Sequence, residues 1–136
     1  MKRVAPPGGL TPPASAELRP GEPIDLVPLA EEVARRYFEE FPGDLDSYGD
    51  TAREWALHDT RHLLAWAVGD LAGYRMLAGQ VDWLARVLGA RGFPLEQLAR
   101  NLEIVADVLG EHLPDERDRI AELLGAAAAS VRAAAA

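Results

Sequence analysis

A chain of 136 residues that is 49% hydrophobic is long enough for one domain with a packed core. Its formal charge of −8 opposes nucleic acid and anionic membrane surfaces, both of which reward a positive face. The absence of cysteine excludes disulfides, thiolate metal sites, iron–sulfur clusters and a cysteine nucleophile, and it fits a reducing, cytoplasmic setting.

Residues 1–23 carry Pro6, Pro7, Pro12, Pro13, Pro20 and Pro23 with glycines between them and show no apolar period. Such a segment buries too little to offset its ordering entropy and is expected to be a disordered Pro/Gly-rich arm. Lys2 and Arg3 are followed by no apolar run of signal-peptide length, and no later stretch has the length and apolar character of a membrane span.

Residues 24–130 form the expected single domain. The first helix runs from about Asp25, a capping residue, to Phe41, with Leu29, Val33, Tyr37 and Phe41 recurring every four residues. Pro42-Gly43 stops it. Ser47 or Asp50 opens a second helix to about Val68, and a third passes through Val81, Leu84 and Leu88 to Arg91-Gly92. A fourth starts at Pro94 and carries Leu98, Leu102, Val105 and Leu109; a fifth starts at Pro114 and carries Ile120, Leu123 and Leu124. The alanine-rich tail, residues 131–136, favours helix but buries little and is expected to fray. No period-2 run of β-branched residues predicts a strand. The fold class is therefore all-α: about five helices in an antiparallel bundle or globin-like packing.

The pentapeptide His58-Asp59-Thr60-Arg61-His62 holds two of the three histidines. It resembles the zinc-protease HExxH, but Asp59 is one methylene short and no third ligand follows nearby. On a helical wheel Trp55, Asp59, His62 and Trp66 share one face, and His58 falls at its margin. That face suits a haem or bilin pocket, with His62 as ligand contact and Trp55, Trp66 and Trp83 as walls. It equally suits a core-edge histidine hydrogen-bonded to Asp59 among core tryptophans. A further alternative joins His58, His62 and His112 in a three-histidine metal site, although His112 also suits the C-terminal end of a helix without any metal.

The stretches YGDTAREWALHDTRHLLAWAVGD and VDWLARVLGARGFPLEQLARNLEIVADVL contain Tyr48-Gly49, Asp59 to His62-Leu63, Trp83-Leu84 and Arg91-Gly92-Phe93-Pro94. In these elements the chain resembles the globin-like, all-helical module that accompanies cobalamin-binding domains in bacterial sensory proteins. The resemblance implies a non-enzymatic sensory or regulatory domain, with a bilin or similar tetrapyrrole contacted by His62. A cobalamin-binding DxHxxG motif is not in this sequence. Output through a protein partner or self-association is expected, with or without a ligand.

Overall fold

The computed structural model describes residues 11–135, without the side chains of residues 46–48. Residues 1–10 of the expected arm, Ala136, and the side chains of Ser47 and Tyr48 lie outside that description. The described chain runs β1 (Ser15–Arg19), β2 (Glu22–Asp25), α1 (Leu26–Glu40), α2 (Pro42–Tyr48), α3 (Asp50–Leu71), α4 (Leu77–Ala90), α5 (Leu95–His112) and α6 (Arg117–Ala135), with a 3-10 turn at Pro114–Glu116. The fold is all-α, as expected, with one small antiparallel hairpin added.

The hairpin corrects the expectation of a disordered arm through residue 23 and of no strands. Pro20 precedes Gly21, whose φ of 80° is the left-handed conformation that the third residue of a type II turn requires. Ala16 pairs with Ile24 across the ladder; Ile24 is buried, and Ala16 and Leu18 pack against the core. Upstream of β1, the Arg61 guanidinium donates to the carbonyl oxygens of Pro12 at 2.9 Å and Pro13 at 3.3 Å. These carbonyls have a charged donor on α3, which offsets the entropy of ordering a proline-rich segment.

Asp25 caps α1 by accepting from the Val27 amide at 3.1 Å, and Pro28 sits in the first turn, where its missing donor costs nothing. Pro42 stops α1 as expected but begins a further short helix, α2, because proline is well suited to a first helical position. Asp70 caps α4 from a distance: its Oδ1 accepts from the Met76 and Leu77 amides at 2.7 and 2.8 Å. At the other end of α4, the Gly92 amide donates to the Gly89 carbonyl and the Phe93 amide to the Leu88 carbonyl. With Gly92 at φ 81°, this is a Schellman stop, and it turns Phe93 back toward Leu88.

Buried leucines, isoleucines and valines from α3, α4, α5 and α6 form one core with α1 and Ile24. Arg36 meets Glu111 and Arg100 meets Glu40 through paired hydrogen bonds of 2.7–2.8 Å, so α1 and α5 run antiparallel. Arg132 binds both Glu96 and Glu103 and sets α6 antiparallel to α5. The tail expected to fray is thereby corrected: α6 continues to Ala135, with Val131 buried and Arg132 ion-paired. Among the described residues no helix is long and apolar enough to cross a membrane.

The two kinds of glycine separate cleanly in a stability measurement. Gly92→Ala is expected to lower unfolding free energy by about 1 kcal/mol because alanine is strained at positive φ. Gly125→Ala, on the exposed face of α6 with open space around its Cα, is expected to raise it by about 0.5–1 kcal/mol. Denaturant titration of both variants checks the opposite signs.

Candidate ligand pocket

The pentapeptide lies in the middle of α3, and its side chains divide between two faces. His58 and His62 meet edge to face with centroids 4.9 Å apart, and His62 stacks on Trp66 at 5.5 Å and 26°. This ladder follows the i, i+4 spacing 58, 62, 66. Trp55 and Asp59 belong to a neighbouring stripe that continues to Leu63 and lines a pocket. The expected grouping of Trp55, Asp59, His62 and Trp66 is therefore split. His58, expected at the margin, is the histidine that engages Asp59, its Nδ1 lying 3.1 Å from Asp59 Oδ1.

The remaining candidates fall elsewhere. Trp83 is 37% exposed on α4 and does not line the pocket. His112 is the exposed last residue of α5. Among the described residues no three His, Cys, Asp or Glu side chains come together to hold a metal ion, so His58, His62 and His112 form no such group.

The pocket encloses about 190 Å³ and is mostly apolar. From α1 come Tyr37 and Phe38, from α2 Asp44, and from α3 Thr51, Ala52, Trp55, Ala56, Asp59 and Leu63. The end of α4 and its connection supply Leu88, Arg91, Gly92 and Phe93, and the first turns of α5 supply Gln97, Leu98 and Asn101. The Schellman stop is what builds one wall, since it brings Phe93 beside Leu88 while leaving Arg91 at the rim. The Arg91 guanidinium sits 5.7 Å from the Trp55 ring centroid, within cation–π range.

Two polar arrangements interrupt the apolar wall. The Tyr37 hydroxyl lies 2.6 Å from Asp44 Oδ2 and 2.8 Å from the Gln97 side-chain amide. A hydroxyl has one proton to donate, and the shorter contact, to the Asp44 carboxylate, takes it, with Gln97 Oε1 the second oxygen within reach. Burial and the Asp44 carboxylate together push the Tyr37 hydroxyl far above its ordinary pKa, so it remains a phenol. The second arrangement is Asp59, whose side chain is only 16% exposed. Burial raises its carboxyl from an ordinary 3.8 to about 6, against the opposing pull of His58 and Arg91. At the next residue of α3, the Asn101 amide reaches the hydroxyl of buried Thr60 at 3.4 Å and joins α5 to α3.

Sequence reasoning missed Tyr37, Asp44, Phe93 and Gln97 as site residues. The signal available for Phe93 was the Arg-Gly-Phe-Pro break, since a Schellman stop places an apolar residue after its glycine against the preceding helix. No protein-family model, curated protein or solved structure matches the chain.

The Asp59 carboxyl has a sign that can be measured. Its folded pKa lies above the unfolded value, so the native state binds the proton more tightly. The contribution is fully present below about pH 4 and is lost as pH rises through about 6, a change of about 3 kcal/mol. The stability of the wild type minus that of Asp59→Asn is expected to fall across this window in denaturant titrations. A difference independent of pH would show that the carboxyl is not held in a poorly solvated place.

Proposed function

We propose that the chain is a non-enzymatic regulatory domain that binds a compact, mostly apolar molecule in the pocket among α1, α2, α3, α5 and the α4–α5 connection. The observation that carries this reading is the pocket itself: a partly enclosed apolar space with aromatic walls and a few convergent polar groups. Its lining comes from five consecutive stretches of chain, so an occupant touches most of the fold at once. Binding would favour one relative placement of these helices and pass that preference to a protein partner or a second copy.

The pocket bears on the ligand's size. At about 190 Å³ it falls below the roughly 300–1,000 Å³ of drug-sized sites, which favours a compact guest over a tetrapyrrole. His62, the ligand contact implied by the family resemblance, stacks on Trp66 instead of lining this space.

Phenethyl alcohol is a suitable neutral probe because a single aromatic ring suits the apolar walls. It is expected to shift the Trp55 indole N–H resonance while leaving that of Trp83 in place. Ala56→Phe, which fills the pocket from α3, is expected to remove the shift. A probe that moves no pocket resonance, or moves it equally in Ala56→Phe, would defeat the proposal. The rival reading, a bilin or haem at His62, instead predicts a visible absorption band with added pigment that His62→Ala removes.

A further inference from the structure

We propose that the guest is a compact organic amine, its ammonium held at the Asp59 carboxylate and its apolar body against Trp55, Leu63 and Phe93. This rests on the pocket being a ligand site and adds the chemical class of the ligand.

The charges around Asp59 support an amine over an acid or an alcohol. On its own helix Asp59 has His58, which engages Oδ1. From the end of α4 comes Arg91, placed over the Trp55 ring. From α2 comes Asp44, which the Tyr37 hydroxyl of α1 already satisfies, and α5 contributes only the uncharged Gln97 and Asn101. Among the described residues, two carboxylates thus face one guanidinium.

The second Asp59 oxygen takes no hydrogen bond from the described residues. Because no buried side-chain oxygen or nitrogen among them lacks a partner, that oxygen must reach solvent, and the space beside it is the pocket. An ammonium offers three donors to such an oxygen and adds cation–π attraction to indole and phenyl faces. A neutral alcohol offers the carboxylate one donor and no opposing charge, and an anionic guest would face two acids.

The same carboxyl makes binding depend on pH. Burial holds it near 6, so it is ionised at neutral pH and protonated in mild acid, while an aliphatic amine remains charged across that range. Amine affinity should therefore fall as pH falls through about 6.

Calorimetric titration of the full chain with phenethylamine, phenethyl alcohol and phenylacetate separates the possibilities, since the three share one body and differ in charge. At about pH 7.5 the amine is expected to bind at least about tenfold more tightly than the alcohol, with phenylacetate weakest. That preference should shrink about tenfold by about pH 5 in the wild type and vanish in Asp59→Asn. An alcohol that binds the wild type as tightly as the amine, or an amine preference that survives both acid and Asp59→Asn, would overturn the amine while leaving the pocket as a ligand site. Binding of none of the three would overturn the ligand site with it.

Discussion

The structure depends on the enclosure of α5. Its buried residues, from Leu98 and Ala99 through Leu102, Ile104 and Val105 to Leu109 and Gly110, occupy more than half of its circumference. A helix with so wide an apolar arc must be covered from several sides, and α1, α3, α4 and α6 all pack on it. Near its C-terminal end the cover is tight: a Cβ added at Gly110 would stand 3.4 Å from Arg117 Cγ where the chain turns into α6. Near its N-terminal end α1 and α4 have both reached their last residues, and the first turns of α5 face the space they leave open. The pocket is the part of α5 that the bundle does not cover.

What makes that gap chemically particular is its placement of charge. Tyr37, Asp44 and Gln97 close a network that joins α1, α2 and α5 and leaves the tyrosine a permanent donor. Asp59 stands against the opposite wall with only His58 as hydrogen-bond partner among the described residues, in a setting where its negative charge is poorly solvated. Arg91 is close enough to moderate that charge, yet its guanidinium lies over the Trp55 indole.

The helices were legible because their apolar stripes are long and regular, and because Asp25, Gly92, Pro94 and Pro114 carry conformational meaning without tertiary context. The hairpin was not, since its inward residues are only Ala16, Leu18 and Ile24, too few and too small to register as alternation amid prolines. The prolines just upstream of it are held by Arg61, which lies far along the chain. The pocket was half legible. Trp55 and Asp59 were singled out, but the wheel that grouped them with His62 does not say which stripe of α3 the neighbouring helices leave facing a cavity. The stripe Trp55, Asp59 and Leu63 lines the pocket, while His58, His62 and Trp66 stack on one another beside it. Tyr37 and Gln97 are sixty residues apart and could be paired only by the packing of α1 on α5.

The attachments of the helices are of two kinds. Arg36, Arg100 and Arg132 bind α1 and α6 to α5 through carboxylates, whereas among the described residues no ion pair reaches α4 (Leu77–Ala90). Beyond the Asp70 cap, that helix is held mainly by Leu77, Val81, Leu84, Ala85 and Leu88 in the core. Salt screens the first kind of attachment, while cooling weakens the second, because apolar burial loses strength at low temperature. Ionic strength therefore acts on the joints of α1 and α6 with α5, which share the apolar core as well, whereas α4 rests mainly on that core and is little touched by salt. The pocket wall formed by Leu88 and Phe93 lies at the end of that helix.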